Sequence, residues 1–206
     1  MRVIAGIHRS RKLLGPPDAE RTRPMPDHVR EALFNLLRGH TEGVAVVDAF
    51  AGTGSVGIEA LSRGATQCLF VERDREIAAI LKQNIETLGL EEAATVVVGD
   101  ALGPGALARC PRPVHLVFFD PPYRLITEEE QRPRVLEQFE RIAALLDPDG
   151  FAVLRTPWPL EISRGADPEA LAYLRFESLD GPETHVYGTM AVHLYAPKRT
   201  SAVDED

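Results

Sequence analysis

Val44-Ala45-Val46-Val47-Asp48-Ala49-Phe50-Ala51-Gly52-Thr53-Gly54-Ser55-Val56-Gly57 runs from an apolar stretch through an acid into a glycine-rich turn and on into an amphipathic segment. Residues 44–48 read as a strand and 55–63 as its helix, so the turn lies at a strand's carboxyl end. Open α/β sheets bind ligands there. The same alternation continues outward. A strand over 67–72 precedes a helix over 75–88 whose Ile77, Ile80, Leu81, Ile85 and Leu88 share one face. Strands follow at 95–98, 114–120 and 151–155, with a short helix near Ala106 and a longer one over 128–146 stopped by Asp147-Pro148-Asp149-Gly150. Two β-rich stretches within 171–195, about a Gly181-Pro182 turn, predict an antiparallel hairpin at the sheet edge. Upstream lie a β-like stretch over 3–7, a Gly15-Pro16-Pro17 turn, and a helix over 26–37 that starts at Pro26 or Asp27 and ends at Gly39. The pattern predicts an α/β fold with a mostly parallel sheet and helices on both faces. Three parts are expected: a basic extension over 1–40, the main domain over 41–197, and a disordered polar tail over 198–206.

At 206 residues the chain has room for one sizeable core but not two full domains. A hydrophobic content of 44% and a charged content of 26% place it among soluble globular proteins, and no apolar run reaches membrane-spanning length. Arg9, Arg11 and Lys12 interrupt any signal-peptide core, so a cytoplasmic location is expected, without membrane association. Cys68 and Cys110 lack metal or redox spacing, and the six scattered histidines form no ligand cluster, so no metal is expected. The net charge of −8 is unevenly spread. Residues 1–38 hold eight basic and four acidic groups, a balance of +4, and the remaining 168 residues carry −12. A basic arm on an acidic body suits a grip for a polyanion.

Gly52, Gly54 and Gly57 satisfy the dinucleotide spacing, which keeps an NAD-dependent oxidoreductase as an alternative. Three residues, however, separate Asp48 from Gly52, and a carboxylate beside the loop repels a pyrophosphate. It favours a cofactor carrying an ammonium and a sulfonium, which describes S-adenosylmethionine. Phe50, Ala51 and Thr53 complete the loop. Glu72 ends the second strand twenty residues after Gly52, where an acid accepts ribose hydroxyls. Asp100 ends the third, where it can accept from an adenine amino group, and Arg73 and Ala101 adjoin these acids. Each acid alone reads as a cap or a solvated strand end. Three on consecutive strand ends point to one rim.

Leu116-Val117-Phe118-Phe119 leads into Asp120-Pro121-Pro122-Tyr123. The prolines fix φ and remove two backbone donors, so carbonyl oxygens face the loop with few competing N–H groups. The Asp120 side chain and the Pro121 carbonyl can accept both hydrogens of an exocyclic amine, and Tyr123 offers a stacking face. That set suits methyl transfer to a nucleobase amine that is unpaired or flipped out. Trp158, just past the fifth strand, reads as a packing anchor or as part of the acceptor mouth.

Residues 23–35 (Arg23-Pro24-Met25-Pro26-Asp27-His28-Val29-Arg30-Glu31-Ala32-Leu33-Phe34-Asn35), with the Asp48 loop and Asp120-Pro121-Pro122-Tyr123, resemble the bacterial small-subunit ribosomal RNA guanine-N2 methyltransferases of the RsmD type. The likeness extends from Arg2-Val3-Ile4-Ala5-Gly6 to Tyr187-Gly188. It implies a Rossmann-like class I methyltransferase fold with seven strands, S-adenosylmethionine as donor, and a guanine of 16S rRNA as acceptor, in the 30S particle. A monomer is expected. The resemblance also implies that Arg23, Arg30 and Glu31 border the site, and Arg9, Arg11, Lys12, Arg23 and Arg30 are the expected RNA contacts. On its helix alone, Arg30 reads equally as a surface charge. Two positions depart from the family pattern: Met25 stands where threonine is usual, and Ser10 where glycine is usual. The nearest rival is an adenine-N6 methyltransferase acting on RNA or DNA. A non-catalytic RNA-binding protein is a third possibility.

Overall fold

The computed structural model describes residues 1–17, 25–160 and 174–199. Its sheet contains β1 (Ala45–Ala49), β2 (Gln67–Glu72), β3 (Ala94–Val98), β4 (Val114–Phe119), β5 (Leu146–Pro157), β6 (Leu179–Tyr187) and β7 (Met190–Pro197). They lie in the order β3-β2-β1-β4-β5-β7-β6. The first five are mutually parallel, and β7 runs antiparallel between β5 and β6. The central strands are rich in Ala and Val (β1) and in Val, Leu and Phe (β4) because both faces are covered. Strand order reverses between β1 and β4, which pair in the register Asp48↔Phe118 and Ala49↔Phe119. The loops after these two strands therefore open side by side into the crevice where such sheets bind ligands.

Helices α1 (Asp27–Leu36), α2 (Ser55–Ser62) and α3 (Arg75–Leu88) cover one face. There Leu33, Phe34, Ile58, Leu81 and Ile85 pack with Phe70 and Phe118. On the other face α4 (Pro104–Arg109), α5 (Tyr123–Thr127) and α6 (Arg132–Ala143) set Ala106, Ile126, Val135, Phe139 and Ile142 against Val47, Val117 and Phe119. Each large apolar side chain fully buried in these layers contributes roughly 1.5–3 kcal/mol. Helix α3 begins at Asp74, whose carboxylate accepts from Glu76 N and Ile77 N, and closes at Gly89 with φ +66.

The N-terminal stretch forms only an isolated antiparallel bridge, Arg2↔Lys12, in place of the strand predicted over 3–7. The backbone turns instead, because it is bound to α2 and α3 rather than to a neighbouring strand. Glu59, fully buried on α2, accepts from Ile4 N at 2.7 Å and Ala5 N at 3.0 Å. Ile7 N and His8 N donate to Ser62. At Gly6 (φ +80), a Cβ would fall 1.7 Å from the Ser62 carbonyl oxygen. Asn84 on α3 pairs with Leu14 through both its amide nitrogen and its oxygen.

Three expectations require correction. The helix predicted over 128–146 is shorter, α6 alone over Arg132–Ala143, and a separate short helix, α5, precedes it: the backbone is extended at Glu128, and a proline occupies the first turn of α6. Residues 147–150 belong to β5, where the register jumps from Val114↔Leu146 to Leu116↔Phe151. This bulge absorbs the Pro-Asp-Gly sequence. Gly181-Pro182 is not the hairpin turn but an irregularity within edge strand β6, between Asp180 and Glu183, a position that tolerates a residue lacking an N–H. The chain reverses at Gly188 (φ +61), between Tyr187 and Met190. The expected tail lies, but for residues 198 and 199, outside the described residues, as does part of 171–195.

Candidate active site

A cavity of about 840 Å³ opens at the carboxyl ends of β1, β2 and β4. Asp48, Phe50, Ala51, Gly52, Thr53, Glu72, Arg73, Asp100 and Ala101 line it, together with all four residues of Asp120-Pro121-Pro122-Tyr123. Gly54 and Gly57 do not. Gly54 turns the loop at φ +89. Gly57 lets α2 approach β2, since a Cβ there would lie 2.3 Å from the Phe70 ring. Its N–H donates to Asp48 Oδ2 at 2.8 Å. The glycine spacing thus serves helix–sheet packing as much as the cavity.

Asp48 is 2% exposed. Burial pushes its carboxyl up to about 7, reinforced by the charges of Asp120 and Glu72 and opposed by the Gly57 hydrogen bond. A cation placed nearby would restore the ionised form. Glu72 is held at both oxygens: Oε2 accepts from Gly52 N at 2.9 Å and Oε1 from Asp74 N at 2.7 Å. Phe50 adopts φ +72, a left-handed conformation that costs a non-glycine residue about 1–2 kcal/mol. Its ring packs edge-on against Phe119 at 5.0 Å, which supports the strained turn. Asp100 caps the following turn through Leu102 N at 3.0 Å and pairs with Arg134 at 2.9 Å.

At the other end of the cavity, Pro122 precedes α5 and Tyr123 begins it. Asp120 Oδ1 accepts from Arg155 Nε at 2.5 Å, and the Arg155 guanidinium sits 5.5 Å from the centre of the Tyr123 ring. Burial pushes the Asp120 carboxyl up, and Arg155 opposes the shift. Sequence reasoning missed Arg155, although it ends the predicted fifth strand, because the pairing Phe119↔Leu154 that sets it beside Asp120 is not local. It also missed Pro16 and Met25, by which the N-terminal segment reaches the cavity wall. Trp158 does not line the cavity; its backbone N–H donates to Thr189 O.

The family model described as Conserved hypothetical protein 95 matches residues 1–173. The chain belongs to this family. It is the RsmD group that residues 23–35 resemble. The Bacillus subtilis protein YlbH, named provisionally as an rRNA methyltransferase, is 38% identical over 154 residues, covering 74% of this chain and 80% of YlbH. Ribosomal RNA small subunit methyltransferase D of Escherichia coli K12 is 41% identical over 124 residues, 60% of this chain and 61% of that protein. The solved structure of Escherichia coli yhhF, provisionally named a methyltransferase, superposes with a TM-score of 0.75 at 29% identity, covering 97% of this chain and 99% of that one. Family membership and the yhhF likeness agree with the seven-stranded, mostly parallel sheet described above.

Among the residues expected to contact RNA, Arg9, Arg11 and Lys12 are exposed on the arm, and Arg11 also donates to Thr87 O at 3.3 Å. Arg23 lies outside the described residues. Arg30 requires correction. Its side chain is fully buried and donates to Asp27 at 2.9 Å and to the carbonyls of Arg2 and Met25, with Glu59 3.9 Å away. Three acceptors and an internal carboxylate hold it as a strut beneath the arm, leaving no surface for a phosphate.

Proposed function

We propose that the protein transfers a methyl group from S-adenosylmethionine to the exocyclic N2 amine of a guanine in 16S rRNA, within the 30S particle. The observation that carries this reading is one cavity that holds carboxylates from three consecutive strand ends and the Asp120-Pro121 corner. The donor set fits the cofactor: Asp48 would face its positive end, Glu72 would accept from ribose hydroxyls, and Asp100 from the adenine amine. When bound, S-adenosylmethionine supplies an electrophilic methyl carbon and a thioether leaving group.

The chain's own contribution is to hold and orient the acceptor. Asp120 Oδ2 and the Pro121 carbonyl oxygen accept the two amine hydrogens, which turns the nitrogen lone pair out of conjugation and towards the methyl carbon. The nitrogen becomes cationic as its new bond forms, and the nearby carboxylate stabilises that charge. The surplus proton leaves to water afterwards. Tyr123 stacks on the flipped base. Arg9, Arg11 and Lys12 contact phosphates and fix the register of the RNA. Guanine is preferred to adenine on the resemblance of residues 23–35 to the guanine-N2 enzymes, and the relatives' names support small-subunit rRNA as the substrate.

The test is nucleoside mass spectrometry after incubation with small subunits from cells lacking the enzyme. N2-methylguanosine is expected; N6-methyladenosine would replace this reading with its rival. Asp120→Ala should abolish turnover while leaving S-adenosylmethionine binding nearly intact.

A further inference from the structure

We propose that Arg155 is a positioning residue that keeps the Asp120 carboxylate charged and oriented for the acceptor amine. This rests on the function proposed above and adds to it the group that sets the geometry of its central acid. Strands β4 and β5 pair as Phe119↔Leu154, so the next residue on each, Asp120 and Arg155, emerges side by side at the same rim. Both line the cavity, and Arg155 is only 7% exposed. A carboxylate withdrawn from water in this way would take up a proton without a counter-charge. Protonated, it would present a hydroxyl where an acceptor is needed.

The mode of approach matters as much as the charge. Arg155 reaches Asp120 through Nε, on Oδ1 alone. Oδ2 has no protein partner among the described residues. A two-pronged pairing would have used both oxygens and closed the site to substrate. The guanidinium meanwhile spans the Tyr123 ring at 5.5 Å, and Nη1 reaches Met190 Sδ at 4.0 Å. One side chain therefore ties the acid to the aromatic surface on which the base would stack. Lysine could supply the charge but not the flat face or the directed Nε–H. Because a cation lies beside the developing ammonium, Arg155 acts before the reaction, by arranging the acceptor.

The test compares the wild type with Arg155→Met, Arg155→Lys and Asp120→Asn. Methylation of small subunits is followed across pH, and S-adenosylmethionine binding by calorimetry. For Arg155→Met, kcat at neutral pH should fall by about 10–100-fold, and the acid limb of its pH profile should move up by roughly one unit or more. Cofactor affinity should stay within about threefold, which also reports a folded protein. Arg155→Lys should restore the acid limb but only part of kcat. An Arg155→Met profile that superimposes on the wild type after scaling, or an Arg155→Lys variant as impaired as Arg155→Met, would overturn the proposal while Asp120→Asn stays inactive. Full activity in Asp120→Asn would overturn the functional reading and this inference with it.

Discussion

Glu72 and Gly52 stand twenty residues apart in sequence, yet the Glu72 carboxylate accepts the Gly52 N–H at 2.9 Å. The acid that would read the cofactor's ribose also shapes the loop beside it. Replacing it should therefore do more damage than removing one hydrogen bond to the ligand. For Glu72→Ala, S-adenosylmethionine affinity should fall by about 100-fold, or ~2.7 kcal/mol. Glu72→Gln retains an acceptor for Gly52 and should weaken binding only about tenfold. Equal effects in the two variants, measured by calorimetry, would separate the loop from the acid.

Arg30 and Arg9 test the distinction between strut and grip. Arg30→Met leaves buried polar partners without a donor and should destabilise the protein by about 3 kcal/mol or more. Arg9→Ala and Lys12→Ala, both exposed, should leave stability within about 0.5 kcal/mol. Each should weaken binding to small-subunit RNA and lower the salt slope by about one for every phosphate no longer neutralised. Thermal melts and filter binding at several salt concentrations decide between the two behaviours.

Ser10 adopts φ +69, at a position where the resemblance noted in the sequence implies glycine. Glycine has no Cβ penalty in that conformation. Ser10→Gly should stabilise the chain by about 1 kcal/mol, after the unfolded-state entropy of glycine offsets part of the gain. The expected rise in Tm is about 2–4 °C for a chain of this size. An unchanged or lower Tm would show that the turn is relaxed as it stands.

The raised Asp48 carboxyl, at about 7, predicts a pH dependence for cofactor binding. In the unfolded chain the group ionises near 3.9, so its contribution to stability is fully present below about pH 4 and is lost as pH rises through about 7. A bound ammonium or sulfonium favours the ionised form and reverses that loss. The Tm increase caused by S-adenosylmethionine should accordingly be larger at about pH 8 than at about pH 6, and Asp48→Asn should flatten the difference. Equal increments at both pH values in the wild type would contradict it.

Much of this architecture was legible because its determinants are local. Strand β2 and helix α3 have the bounds expected from their patterns, since Asp74 and Gly89 mark the helix ends and alternation of apolar runs marks the strand. The acids on the cavity rim were legible because parallel strands place their carboxyl ends together. What escaped was set by distant partners. Arg30 looks like a surface charge until Asp27, Glu59 and the Arg2 and Met25 carbonyls converge on it. Arg155 gains meaning only from the β4–β5 register. The Gly181-Pro182 pair carries a strong local turn signal, but the edge of the sheet accommodates it as an irregularity and the turn moves to Gly188.

The backbone of the N-terminal arm is fastened by Glu59, Ser62 and Asn84, and Asn84 also donates to the carbonyl of Thr53 in the glycine loop. One amide thus rivets the outermost basic segment to the floor of the cavity. Such a segment brings little disorder to be quenched when it meets a partner. In the proposed function it would serve as a fixed calliper jaw, whose setting a substrate must match.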